Sequence, residues 1–331
     1  MKKIFIFILV LILLALGIIG FVKHNYKKEE KGLTKVSVAE VTHSLFYTPL
    51  YVAIENGYFK EEGLDVELVL TPGADKTAAA VLSNDVNIGF SGPEATIYVY
   101  NNGEEDYLVT FAGLTKRDGQ FLIGDCELKN NFSVEDLKGK TVLAGRSGGM
   151  PLMIFNYALK ESGIKEDEVT IDKSVEFAAL TGAFIGGQGD FVNLFEPNAS
   201  KVEREGYGCV LSSLGLLTGE VPYTAFYSRK SYIDNNEEII NSFTKALNRA
   251  LKYVKKTDNR TLANDIKNQF PDTDIDELKM IIKRYKEADS WWDTTYVKEE
   301  AYDRLQDIMI YNKSLEEKVE FKDLVNNKYN E

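Results

Sequence analysis

The chain has little of what most catalytic centres are built from, with two cysteines and two histidines in 331 residues. Cys126 and Cys209 are too few and too far apart for a zinc cluster or a disulfide framework. They read as two partly buried thiols, with a single long-range bridge as the other arrangement open to them. His24 lies beside the apolar N terminus, and His43 lacks neighbouring partners for a triad. The patterns HExxH, GxSxG and GxxxxGKS/T are all absent, which removes the usual sequence grounds for a zinc hydrolase, a serine hydrolase or a P-loop enzyme. Basic residues are also short: 39 Lys and Arg against 51 Asp and Glu give a formal charge of -12. That sign opposes sequence-independent binding to nucleic acid, although local Arg or backbone N–H groups can still hold a small anion.

What is present belongs to an ordinary globular protein. An apolar fraction of 44%, 27% charged residues and 25 glycines exclude a disordered or low-complexity chain, and 331 residues suit two lobes better than one core. Met1 to Lys3 form a short basic start, and Ile4 to Val22 carry no charge. As a helix that run spans about 28 Å, close to the hydrocarbon thickness of a bilayer. Residues 1–31 therefore read as a signal anchor, or a cleaved signal peptide, with a juxtamembrane linker. No cysteine follows Ala15-Leu16-Gly17, so lipid attachment is excluded. Lys23, Lys27, Lys28 and Lys31 do not favour export by the positive-inside count, and export rests on the signal-like start. The body, residues 32–331, carries -16.

Along the body, strand-like and helix-like runs alternate. Strands are predicted at Val36–Val41, Asp65–Leu70, Val86–Phe90 and Tyr107–Leu114, with helices at Pro49–Phe59, Asp75–Leu82 and Pro93–Tyr100. The alternation restarts with strands at Thr141–Ala144, Val169–Ile171, Phe191–Phe195 and Cys209–Leu211, and helices at Met150–Ser162, Glu176–Phe184 and Pro197–Glu205. Two α/β lobes with mainly parallel sheets follow. From Tyr232 the pattern is helical only, at Glu237–Lys255, Thr261–Asn268, Asp274–Asp289 and Lys298–Tyr311. These helices must cover an existing lobe, so the chain crosses between lobes twice, near 116–121 and 222–228. The lobes are then 32–118 with 226–331, and 119–225.

Ligands of open α/β sheets bind beyond the carboxyl ends of the strands. The loops there are Thr42 to Pro49, with His43, Ser44, Phe46 and Tyr47; Ser91-Gly92-Pro93-Glu94; and Gly145 to Pro151, with Arg146, Ser147, Gly148, Gly149 and Met150. Phe195-Glu196 sits at the same edge, and the first crossing carries Thr115, Arg117 and Gln120. Helix capping accounts for the first two loops as well as ligand binding does. Glu196 reads either as an acceptor for a ligand amine or as favourable charge at a helix N terminus. Gly186-Gly187-Gln188-Gly189 lacks dinucleotide spacing, and Trp291-Trp292 reads as packing.

His43-Ser-Leu-Phe-Tyr-Thr-Pro-Leu-Tyr-Val-Ala-Ile-Glu-Asn-Gly57-Tyr-Phe59, followed by Glu62-Gly-Leu-Asp-Val-Glu67, resembles the opening signature of the nitrate/sulfonate/taurine-type solute-binding proteins of ABC importers, a group that includes binders of thiamine-precursor pyrimidines. The resemblance runs through Ala78–Gly92, Asp136-Leu-Lys-Gly-Lys140, Gly145–Pro151 and Phe195-Glu-Pro197. It implies a type II periplasmic-binding-protein fold: two α/β lobes, two hinge crossings and C-terminal helices on the first lobe. It also implies a monomer on the extracytoplasmic face of a bacterial membrane, with no enzyme activity, cofactor or metal, serving an ABC permease and its ATPase. The ligand positions it carries over are His43 to Tyr47, Ser91 to Glu94, Thr115 to Gln120, Arg146 to Met150 and Phe195-Glu196. The rings and mixed charges at those positions point to an aminopyrimidine or an organosulfonate rather than bare nitrate. A membrane-tethered sensor is the alternative class, and a thiamine-pyrimidine synthase is disfavoured because the cysteine-dense run CCCFC is absent.

Overall fold

The computed structural model describes residues 32–145 and 149–330. The N-terminal apolar run and the loop residues Arg146, Ser147 and Gly148 lie outside the described residues. Among the described residues no helix is long and apolar enough to cross a membrane. The chain opens with β1 (Thr34–Glu40), α1 (Thr48–Glu55), α2 (Tyr58–Glu61), β2 (Leu64–Leu70), α3 (Ala74–Leu82), β3 (Ile88–Ser91), α4 (Glu94–Asn101) and β4 (Leu108–Thr115). It continues with β5 (Phe121–Gly124), β6 (Thr141–Leu143), α5 (Met150–Glu161), β7 (Thr170–Asp172), α6 (Leu180–Ile185), β8 (Phe191–Leu194), α7 (Asn198–Arg204), β9 (Cys209–Ser213) and α8 (Leu214–Thr218). The remainder is β10 (Thr224–Arg229), α9 (Lys230–Asn235), α10 (Glu237–Lys256), α11 (Asn259–Asp265), α12 (Ile275–Glu287), α13 (Glu299–Tyr311) and α14 (Phe321–Leu324).

Two five-stranded sheets result, in the orders β2-β1-β3-β10-β4 and β7-β6-β8-β5-β9. The core of each is parallel, as alternation with helices demands. Each sheet is mixed rather than mainly parallel throughout, because β10 runs antiparallel to β3 and β4 and β5 runs antiparallel to β8 and β9. The strands Phe121–Gly124 and Thr224–Arg229 were not expected from sequence. Both are almost wholly buried, so neither shows the alternation that marks a half-exposed strand.

These two strands explain the crossings. Strand β4 leaves the first sheet beside β10, and β5 enters the second beside β9, so the two crossings form one antiparallel ribbon. The Tyr223 N–H donates to the Thr115 carbonyl (3.1 Å), Val221 N–H to Lys116 (2.9 Å) and Leu214 N–H to Gln120 (3.1 Å). Gly215 lets the crossings approach, since a Cβ there would lie 2.4 Å from the Asp118 carbonyl oxygen. The return crossing is therefore complete by Thr224, and most of the stretch expected to cross at 222–228 is a strand of the first sheet.

Helix α10 illustrates the C-terminal layer. Ile240, Phe243, Leu247, Leu251 and Val254 recur at three- and four-residue spacing and are all buried, with Glu237 and Glu238 in the first turn and Lys255 and Lys256 in the last. It packs on α1. Helices α12 and α13 also reach the second lobe. Arg284 of α12 binds Glu203 of α7 (2.8 Å), and the Asn312 amide after α13 donates to the Met153 carbonyl of α5 (3.1 Å). The expected helix Pro49–Phe59 is two helices, because Gly57 takes a left-handed φ of 73° between them. Likewise Glu176–Phe184 is a 3-10 turn followed by α6, and Thr261–Asn268 is α11 followed by a 3-10 turn.

The cysteines correct an expectation. Cys126 and Cys209 form a disulfide across 83 residues and are not two free thiols. The pairing of β5 with β9 places Gly124 opposite Cys209, which brings Cys126 alongside; no spacing in the sequence announces that register.

Candidate functional site

Between the sheets lies a cleft of about 1090 Å³. Its walls come from the carboxyl ends of parallel strands in both sheets. From the first come Val41 to His43 after β1, Pro72 and Gly73 after β2, and Gly92 and Glu94 after β3. From the second come Gly145 after β6, Glu176 to Ala178 after β7, and Phe195 after β8, while Tyr223 and Thr224 enter from the return crossing. This is the position that an open α/β sheet reserves for a ligand.

Of the residues singled out in sequence, His43, Tyr47, Gly92, Glu94, Gly149, Met150 and Phe195 line this cleft. Arg146, Ser147 and Gly148 fall in the loop outside the described residues. The others are engaged elsewhere. The Ser44 Oγ accepts from the Phe46 N–H (3.2 Å) and donates to the Glu196 carbonyl in the opposite lobe (3.3 Å). The Ser91 Oγ pairs with the Tyr227 hydroxyl (2.7 Å), and the Thr115 Oγ1 accepts from the Thr224 N–H (2.9 Å). Arg117 bonds Asp289 (3.3 Å), and the Gln120 amide reaches the Asn193 carbonyl (3.5 Å).

Glu196, read either as an acceptor for a ligand amine or as charge at a helix N terminus, is committed to the protein. Its buried carboxylate pairs with Arg284 and accepts from the Ser200 N–H (2.8 Å), while its own N–H donates to the Tyr285 hydroxyl (3.2 Å). The Arg284 partner lies 88 residues away in sequence, which hides the pair from any local reading.

Rings dominate the second wall. Phe195 lies 5.8 Å from Phe46 and from Phe177, and 6.1 Å from Tyr223. Phe46 sits behind this row, and Gly119 admits its ring because a Cβ there would come within 2.6 Å of it. Tyr223, Phe177 and Tyr98 were missed in sequence; Tyr223 was hidden by its place in a crossing, and the other two carried no motif.

Four acidic or basic side chains line the first wall, the exposed Asp75 and Lys76 of α3 and two that are set into it, His43 and Glu94. His43 faces a carboxylate and a carbonyl, Glu40 Oε1 at 2.8 Å and Gln269 O at 3.0 Å, so both ring nitrogens must donate. The hydrogen bond to Glu40 is the main reason its pKa is raised, and the ring lies between Tyr51 and Phe270. Glu94, at the first turn of α4, is 4% exposed, and its Oε2 accepts no hydrogen bond from the protein. Burial pushes it up to about 7, partly offset by its own backbone N–H.

Known proteins share this fold. Residues 46–260 match the family model described as NMT1/THI5 like. YtlA of Bacillus subtilis (strain 168), named as a candidate binding protein, is 42% identical over 300 residues, 90% of each chain. The alkanesulfonate-binding protein SsuA from Xanthomonas axonopodis pv. citri, solved bound to MOPS, superposes with a TM-score of 0.68 at 16% identity, covering 89% of this chain and 99% of that one. The periplasmic aliphatic sulphonate-binding protein SsuA from Escherichia coli gives 0.68 at 16% identity, covering 88% and 97%. At such identities the structural likeness carries the fold: two mixed sheets with helices, of the periplasmic-binding-protein kind.

Proposed function

This chain belongs to the NMT1/THI5-like family, and on that premise we propose that it is the extracytoplasmic solute-binding component of an ABC importer. It captures a small organic solute between its lobes and presents it to a membrane permease and its ATPase. The observation that carries this is the cleft itself, built from the strand ends of both sheets and bounded by the paired crossings. A solute touching both lobes favours whichever arrangement brings both walls to it, and a permease can read that difference. The wall rings, Phe195 and Tyr223, suit a planar or apolar solute body, which supports an aminopyrimidine or an organosulfonate. The disulfide fits an oxidising compartment outside the cytoplasm, and the charge-free run Ile4 to Val22 would hold the protein at the membrane.

The test is a thermal-shift and calorimetric screen of the full chain against aminopyrimidines, alkanesulfonates, taurine and nitrate. A solute present at 100 times its dissociation constant adds about 2.7 kcal/mol of apparent stability. One clear hit whose shift is weakened by Phe195→Ala supports the reading. No shift with any of them refutes the solute classes proposed here.

A further inference from the structure

Glu94 is a buried acid whose Oε2 has no hydrogen-bond partner among the described residues. A Cβ on the neighbouring Gly92 would lie 2.0 Å from its Oε2 and 2.7 Å from its Cδ, so the carboxyl lies back over that glycine, itself a wall of the cleft. No ion pair reaches it among the described residues, although a buried carboxyl without a partner is costly. Five phenols couple to it electrostatically, Tyr47, Tyr98, Tyr223, Tyr227 and Tyr302, and of these Tyr47, Tyr98 and Tyr223 line the cleft. Tyr227 is already paired with Ser91. Elsewhere on the cleft walls His43 is tied to Glu40, and Asp75, Lys76 and Glu176 are exposed.

We propose that Glu94 is the specificity-determining acid of the cleft, accepting an N–H from a solute nitrogen that is positively charged in the complex. This rests on the solute-binding reading above and decides between its two solute classes: an aminopyrimidine or amidine is selected, and an organosulfonate is rejected. A solute that arrives as a cation sends the carboxyl proton to solvent. A neutral aminopyrimidine takes that proton onto its ring nitrogen and leaves a carboxylate beside a pyrimidinium. Tyrosine hydroxyls and rings around the site favour either complex, since they donate to a carboxylate and present π faces to a cation. A sulfonate at the same place would meet an acid beside Tyr47, Tyr98 and Tyr223, with no cation in contact with that acid among the described residues.

The experiment is isothermal titration of the full chain, wild type and Glu94→Gln, with benzamidine, 4-amino-5-hydroxymethyl-2-methylpyrimidine and butanesulfonate. Titrations in two buffers of different ionisation enthalpy count the proton. Benzamidine or the pyrimidine should bind the wild type, and E94Q should weaken that binding at least tenfold. Benzamidine affinity should fall about tenfold per pH unit below about pH 7 and level off above it, and E94Q should remove the part of this slope that Glu94 supplies. His43 titrates on the same wall, and its contribution survives in E94Q, which separates the two. Glu94→Asp keeps the charge and should keep the slope at lower affinity, so it carries the test if E94Q folds poorly. Butanesulfonate binding equally to both proteins, or cation binding unchanged in E94Q, overturns the role of Glu94 and leaves the solute-binding reading standing. No binding of any probe by the wild type overturns both.

Discussion

Loss of the Cys126–Cys209 bridge should destabilise the second lobe selectively. The bridge closes a loop of 83 residues that contains β6, α5, β7, α6, β8 and α7, most of that lobe. Chain entropy for a loop of this size gives roughly 4.6 kcal/mol at 25 °C as the gain from cross-linking the unfolded chain. The β5–β9 ladder beside the bridge keeps its hydrogen bonds without it, so the native state should survive substitution, and the measured loss should fall between about 2 and 4.6 kcal/mol. The assay is urea unfolding of Cys126→Ser/Cys209→Ser followed by two probes, because two lobes make a single two-state fit unsafe. Both tryptophans, Trp291 and Trp292, lie outside the closed loop and pack near β4 and Phe46, with the Trp291 indole donating to the Phe46 carbonyl (2.8 Å). Far-ultraviolet dichroism should therefore show an early transition that tryptophan fluorescence reports weakly. Transitions unchanged within about 0.5 kcal/mol would refute the reasoning, as would two thiols reacting in the native protein without reductant.

Replacing Arg284 by Met should cost about 3 kcal/mol, because it strands the buried Glu196 carboxylate, and R284M with Glu196→Gln should recover part of that in the same urea assay. Stability without solute should fall as pH rises from about 4 to 8. Burial raises Asp118 to about 8 and Glu94 to about 7, so the folded state holds protons that the unfolded chain has already released, and the loss is complete above both values. Thermal midpoints between pH 5 and 9 measure this, and Asp118→Asn should flatten the curve; a rising midpoint would contradict it. Gly215→Ala forces a Cβ against the Asp118 backbone and should cost about 1–3 kcal/mol while weakening solute binding, which calorimetry would detect.

The α/β character and the cleft loops were legible because they rest on local signals. Alternating strand and helix runs place loops such as Ser91 to Glu94 at strand ends whatever the sheet order. What escaped depends on partners far away in sequence. Thr224–Arg229 looks like a crossing until β3 and β4 are seen on either side of it. Glu94 and Glu196 show the limit most clearly, since both are acids at a strand-to-helix junction and both are buried. Of these two acids Arg284 pairs with Glu196 and not with Glu94, so one is fixed in the scaffold and the other is left for the cleft. No spacing rule separates them.

The same long-range contacts constrain how the lobes can move. The crossings are one hydrogen-bonded ribbon, so they bend together and not as two independent linkers. A single apolar cluster runs from Val36 and Phe90 in the first lobe to Met150, Val192 and Leu194 in the second, and α12 and α13 tie the lobes on either side of it. Wide opening would have to expose that cluster and also break the Arg284 network, whereas a small rotation about the ribbon disturbs mainly the polar contact of Ser44 with Glu196. A solute has only its differential affinity to spend on such a motion. The expected motion is therefore small, and it should vanish when Phe195 or Glu94, on opposite walls, is removed: small-angle scattering of wild type and Phe195→Ala with and without the bound solute measures it, and a large compaction in both would refute the constraint.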